Sequence, residues 1–213
     1  MRNFIIFGKG DFADILTYII EEEMQRNVAA YTVSKELLDM DSYHGKPVVP
    51  YEELESFYKP SDYAISLGYE AQDMYRTRKK MQEELTKKGF LFENVISKSA
   101  NLTNAKIGVG NIIMQNCLLA PFSSVGDGNV LWATAQIQHH NKVGNFNCIA
   151  PGAAACGYVN INNHCFIGTN ATVKSNVTIA DYTLVGAGAY VTEDTKKCDV
   201  IVPARSQRIN GKR

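Results

Sequence analysis

Net charge is missing from this chain: of its 213 residues, 22 are basic and 22 acidic. No basic stripe of the kind nucleic acid demands is present. No basic run borders an apolar stretch, and no apolar run reaches the roughly 20 residues needed to cross a bilayer. The opening MRNFIIFGKG has too short an apolar run for a secretion signal and enters a glycine turn, so a cytoplasmic location is expected. Five cysteines occur without a CxxC pair. The odd count and scattered spacing point to reduced thiols rather than a disulfide framework. Histidine is scarce, with four in all, and tryptophan occurs once, at Trp132.

What the chain has in abundance is a period of six. Every sixth residue from Ile107 through Ile113, Leu119 and Val125 to Val191 is small-to-medium and apolar, fifteen positions without a slip. Two residues before each, the chain is nearly always small, as at Cys117, Ala135, Asn147 and Cys165. Neither a helical period of 3.6 nor a plain strand alternation holds this phase. A hexapeptide repeat does, and it specifies a parallel β-helix. Three hexads make a triangular coil of 18 residues, so fifteen give about five coils, each rising roughly 4.8 Å. Glycine often follows the apolar position (Gly108, Gly126, Gly144, Gly168, Gly186), where a corner with positive φ is expected.

Residues 1–93 read differently. Strands are predicted over Asn3 to Phe7, Val28 to Val33 and Asp62 to Leu67. Helices are predicted from the glycine turn to about Gln25, from Tyr51 to Tyr58, and from about Ala71 to Lys88. This alternation implies a small parallel, Rossmann-like sheet, whose ligands bind at the carboxyl ends of the strands. The first strand ends in Gly8-Lys9-Gly10-Asp11-Phe12-Ala13. That is either a phosphate site at a helix N-terminus or a glycine turn for close packing. NAD is disfavoured, because the second strand ends in Ser34-Lys35 rather than in a carboxylate for a ribose. The prism is assigned to 94–193 and a C-terminal tail to 194–213.

The hexapeptide stretch resembles the left-handed β-helix acyltransferases. Together with the short α/β domain before it, the whole chain is similar to the sialic-acid O-acetyltransferase and bacillosamine N-acetyltransferase group. The resemblance implies a left-handed prism, a homotrimer, and an acyl-CoA (acetyl-CoA or a longer one) bound between neighbouring prisms. It also implies a nucleotide-linked sugar held by the N-terminal domain, and no metal. On that basis Gly8, Gly10, Asp11, Phe12, Ser34, Lys35, Gly68 and Tyr69 are candidate substrate contacts. The group usually carries a histidine in the glycine turn; here Phe12 stands in its place, where it would stack on a base or sugar.

The segment Ile137-Gln138-His139-His140-Asn141 holds two of the four histidines. His139 lies two residues past an inward position, near a corner, and matches the general base of the resembling group. His140 stands where that group has an acid, and is a further candidate substrate contact. Gly157 follows His139 by 18 residues, one coil on, and so stacks beside it. In the resembling group the matching amide donates to the thioester carbonyl, an oxyanion-hole role. Thr169, Ala187 and Arg205, the last in Val202-Pro203-Ala204-Arg205, match positions that contact CoA. Trp132 is expected either to wall the acceptor pocket or to meet a neighbouring copy.

The expected activity is N-acylation of an amino sugar carried on a nucleotide, for glycan or surface polysaccharide synthesis, with a neutral imidazole as base. O-acetylation of a sialic acid or polysaccharide sugar is the alternative within the class. A non-enzymatic binding solenoid is the alternative outside it. A zinc site would draw on His139, His140 and His164, but their spacing is wrong for one.

Overall fold

The computed structural model describes residues 2–69, 73 and 75–204. The first strands are short runs rich in β-branched and aromatic residues, apolar on both faces, as the inner strands of a covered parallel sheet must be. β1 (Asn3–Phe7) lies between β2 (Val28–Val33) and β5 (Tyr63–Leu67), parallel to both. The hairpin β3 (Ser42–Tyr43) and β4 (Lys46–Pro50) extends one side of the sheet, and β6 (Leu91–Phe92) closes the other. The sequence reading missed this hairpin. Its turn is His44-Gly45, with φ of 48° and 69°, the doubly left-handed geometry of a two-residue hairpin.

The helices are shorter than expected. α1 (Asp11–Tyr18) passes into a π-turn at Ile19–Glu23, which buries both Ile19 and Ile20 completely. The predicted helix at Tyr51 is a 3-10 turn, Tyr51–Glu53, running into the single turn α2 (Leu54–Phe57). α3 (Arg76–Lys87) starts five residues later than predicted.

The rest is a prism with three parallel faces. Strands pair with those 18 residues away, as Leu119 with Ile137 and Ile137 with Ala155. The apolar residue of each hexad points inward; Leu131, Ile137, Val173 and Val185 are all fully buried. One corner is lined by Asn111, Asn129 and Asn147, each fully buried. Their Oδ1 atoms accept the backbone N–H of Asn129, Asn147 and Cys165 at 2.9, 2.8 and 2.7 Å. This satisfies amides that the corners would otherwise orphan. Cys117 and Cys165 sit in the interior, where burial pushes their thiols up to about 11 and about 12. The strand Val200–Ile201 pairs with Leu184–Val185, so the prism continues into the segment read from sequence as a tail.

The glycine expectation needs correcting. Positive φ falls on the third residue after each inward position from Ile107 to Val185, as at Asn116, Phe122, His140, Phe146, Tyr158, His164 and Tyr182. The glycines directly after the inward residue are required by contact instead. A Cβ on Gly126 would lie 2.8 Å from the Gly144 carbonyl oxygen in the next coil. The coils thus turn through left-handed corner residues, Gly110, Gly128, Gly152 and Gly188 among them, while the glycines directly after an inward residue serve close stacking.

One prism face is covered by α1 and the π-turn of the N-terminal part. Its outward residues Ile112 and Val130 are fully buried, each worth about 1.5–3 kcal/mol relative to exposure. Glu23 fastens this seam: it accepts hydrogen bonds from Ser97 Oγ, from the Lys98 N–H at 2.9 Å and from Gln115 Nε2 at 2.6 Å. No helix among the described residues is long and apolar enough to cross a membrane.

Candidate active site

Two places concentrate the chemistry-bearing residues. The first is the prism edge that follows Gln136–Ile137. His139 is exposed there, and its Nδ1 lies 3.1 Å from Nδ1 of His140. The face of the His139 ring, at its Cε1–Nε2 side, lies against Gly157. A Cβ built on that buried glycine would fall 2.5 Å from Cε1 and 2.7 Å from Nε2 of the imidazole. The next residue, Tyr158, donates its N–H to the His139 carbonyl at 3.1 Å, locking the coils together. Among the described residues no acceptor takes the Gly157 N–H, so a donor stands free beside the ring.

His140 occupies the left-handed corner with φ of 60°. Its ring lies between those of Phe122 and Tyr158, with centroids 5.0 and 4.7 Å away. All three are corner residues, one coil apart. Phe122 and Tyr158 were not singled out from sequence, although their 18-residue offsets from His140 were available.

The second place is a cavity of about 580 Å³ at the carboxyl ends of β1, β2 and β5, where an α/β sheet is expected to bind its ligand. Gly8, Ser34 and Tyr69 line it, as the sequence suggested, joined by Lys9, Asp39 and Tyr51 among others. Gly8 has φ of 121°, and a Cβ there would lie 2.6 Å from the Gly68 carbonyl oxygen. Gly68 therefore shapes the cavity by packing rather than by lining it. Phe7 packs against both Tyr51 and Tyr69, with centroids 5.3 and 5.6 Å apart, giving an aromatic base. Burial pushes the Tyr69 hydroxyl up to about 12, and among the described residues that hydroxyl has no hydrogen-bond partner. Lys9 pairs with Asp39 at the rim.

Several expected contacts lie elsewhere. Phe12 is only 7% exposed, and its ring packs on Trp132 at 5.4 Å, so it belongs to the seam between the two parts of the chain and not to the cavity. Trp132 likewise meets Phe12. The Gly10 N–H donates to the Tyr43 hydroxyl at 3.0 Å, and that hydroxyl donates to Asp14, which also bonds His44. The hydrogen bond from Tyr43, then that from His44, holds the Asp14 carboxyl below its usual range. The expected phosphate contact at Gly10 is thus met by the hairpin. Asp11 is exposed at the start of α1. Lys35 turns to Glu53, 3.2 Å away, and does not line the cavity.

Thr169 and Ala187 are exposed and stacked one coil apart. They lie on the edge that precedes the face carrying Gln136–Ile137, whereas His139 and Gly157 lie on the edge that follows it. Trp132, and with it the glycine turn, is on the Thr169 edge. Arg205 lies outside the described residues. Among the described residues no group of three metal-ligating side chains is close enough to hold an ion.

Residues 158–193 match the profile of the bacterial transferase hexapeptide (six repeats) family. No curated protein sequence matches the chain. Among solved structures, the acetyltransferase domain of PglB from Neisseria gonorrhoeae superposes with a TM-score of 0.82 at 22% identity, over 94% of this chain and 96% of that one. PerB from Caulobacter crescentus, solved with CoA and GDP-perosamine, gives 0.80 at 23% over 95% and 92%. WeeI from Acinetobacter baumannii gives 0.73 at 22% over 94% of both chains. At these identities the likeness is one of fold: a Rossmann-like α/β domain followed by a left-handed parallel β-helix of hexapeptide repeats.

Proposed function

We propose that the protein is an acyl-CoA-dependent N-acyltransferase acting on an amino sugar carried on a nucleotide. The observation that carries this reading is the prism edge where His139 turns Cε1 and Nε2 toward the Gly157 backbone. A thioester carbonyl beside Gly157 would receive the free N–H as negative charge develops on its oxygen. The sugar amine attacks that carbonyl, and His139 Nε2 takes the amine's proton. The C–N bond forms, the C–S bond breaks, and the proton passes on to the departing thiolate. The cavity at Gly8, Ser34 and Tyr69 suits a nucleotide: it has an aromatic floor, a cation at its rim and a glycine turn. The neighbours in fold add to this, since the PglB domain has been solved with acetyl coenzyme A and PerB with CoA and GDP-perosamine.

The arrangement also favours a closed homotrimer. In one chain the glycine turn, Thr169 and Ala187 share one prism edge, and His139 with Gly157 sits on the next. A ring that sets the first edge of one copy against the second edge of its neighbour completes a single site. Phe122 and Tyr158, 64% and 52% exposed in the single chain, would be covered by such a contact.

The test is a panel of nucleotide-linked amino sugars incubated with acetyl-CoA, reading release of free thiol. Turnover with an amino sugar but not with its hydroxyl counterpart is expected. Turnover with hydroxyl sugars alone would make it an O-acyltransferase, and no thiol release with any acceptor or acyl-CoA would remove the reading.

A further inference from the structure

The prism carries two aromatic columns of the same composition. Phe122, His140 and Tyr158 form one; Phe146, His164 and Tyr182 form the other, with centroids 5.7 and 4.9 Å apart. In both, a histidine is held in a left-handed corner between a phenylalanine one coil before and a tyrosine one coil after. Stacking of this kind is therefore a general corner device of this chain. The first column carries a second imidazole: the residue before its histidine is His139, and the two Nδ1 atoms approach to 3.1 Å. The residue before His164 is Asn163, whose side chain is committed to a neighbouring asparagine and aspartate.

An Nδ1–Nδ1 hydrogen bond needs one proton, on one ring or the other. If His140 donates, His139 accepts at Nδ1, carries its own proton on Nε2, and has no Nε2 lone pair with which to take another. If His139 donates, its Nε2 is left bare and can take a proton. Phe122 and Tyr158 hold the plane of the His140 ring, and the contact with His139 selects the flip that brings Nδ1 to it. No carboxylate bonds either imidazole among the described residues; the groups packed on the pair are Phe122, Gly157 and Tyr158.

From this we infer that His140 is the positioning residue of the base: clamped between Phe122 and Tyr158, it accepts the Nδ1–H of His139 and so fixes the tautomer whose Nε2 takes the substrate's proton. The Nδ1–Nδ1 contact stands by itself, and the choice of His139 as donor rests on the acyl-transfer reading, which needs a bare Nε2. During transfer His139 becomes an imidazolium that keeps its Nδ1–H on His140. The Nε2 proton is the one handed to the thiolate.

The experiment has two arms. Histidine-selective 15N labelling and long-range proton–nitrogen correlation on the full chain, without substrate, reads the tautomer of each ring. His139 protonated at Nδ1 with His140 protonated at Nε2 is expected; His139 protonated at Nε2 overturns the proposal. The second arm is His140→Phe, which keeps the column but removes the acceptor. The corner tolerates it, because Phe122 and Phe146 already occupy the same left-handed position. Roughly 10- to 100-fold loss of kcat, with both KM values and Tm nearly unchanged, is expected, the scale known for partners that orient metal-bound histidines. His140→Glu restores an acceptor and recovers most of kcat. A His140→Phe variant with full kcat, or one whose defect lies in KM, overturns the proposal. Should the wild-type protein transfer no acyl group at all, the proposed function falls while the labelled spectrum still decides the tautomer.

Discussion

The His139 imidazole occupies the space that any side chain on Gly157 would need. The nearest contacts of a Cβ there are Cε1, Nε2 and Nδ1 of that ring, at 2.5, 2.7 and 3.2 Å. They belong to an exposed side chain and not to backbone, so the conflict is relieved by swinging the ring outward and leaves the coil intact. Gly157→Ala is therefore expected to fold and melt like wild type while losing most of its turnover. A melting curve and a thiol-release assay check this; normal turnover would detach Gly157 from the chemistry.

His139→Ala removes the proposed base. The expected loss in kcat is about 10²–10⁴-fold, the usual contribution of a positioned base. Acyl-CoA affinity by calorimetry should hold, because the ring is assigned to proton transfer and not to binding. Turnover within a few-fold of wild type would exclude His139.

Assembly is expected to be trimeric, with Phe122 and Tyr158 at the contact. Light scattering at micromolar concentration should return three times the chain mass. Placing charges on the column with Phe122→Glu and Tyr158→Glu should dissociate it. A monomeric wild type would refute the shared site.

Glu23 should make the seam acid-sensitive. Burial alone pushes its carboxyl up, but hydrogen bonds from Ser97, Gln115 and the Lys98 N–H outweigh that and bring it below the ordinary 4.5. A carboxyl depressed on folding stabilises fully above its unfolded value, and the contribution is lost as pH falls through the folded one. The Tm gap between wild type and Glu23→Gln should thus be constant above roughly pH 5.5, one unit past the unfolded value, and shrink to nothing as Glu23 protonates. A gap that persists in acid would mean that the carboxylate charge is irrelevant.

Gly126→Ala probes the coil stacking. The added Cβ meets the Gly144 backbone at 2.8 Å, which yields only by spreading two coils. A loss of about 1–3 kcal/mol is expected, as for overpacked cores. Chemical denaturation measures it, and a neutral result would show that the coils separate freely.

The repeat was legible because its cause is local. Each hexad buries one residue such as Ile137 in the same way, so fifteen equivalent demands leave fifteen equivalent marks in the sequence. The stacking of His139 on Gly157 followed from the same arithmetic, since 18 residues is one coil. The first two strands were readable because both faces of β1 and β2 are covered, and their apolar runs say so.

Contacts between distant segments leave no such mark. Nothing in Phe12 reveals that it will be sealed against Trp132, 120 residues on, instead of facing a ligand. Nothing in Tyr43 announces that its hydroxyl will cap the Gly10 amide. The glycines that follow some inward residues, such as Gly126, advertised a special backbone, and only the stacked coils show that they answer to a neighbouring carbonyl. The sequence alone thus determined the prism, its period and the edge that carries the histidines, because a repeat writes its geometry into its spacing. The tertiary structure decided which glycine-turn residues reach the cavity, which prism face α1 covers and which nitrogen of His139 meets His140. Those depend on where two unrelated surfaces come together and how their side chains then turn.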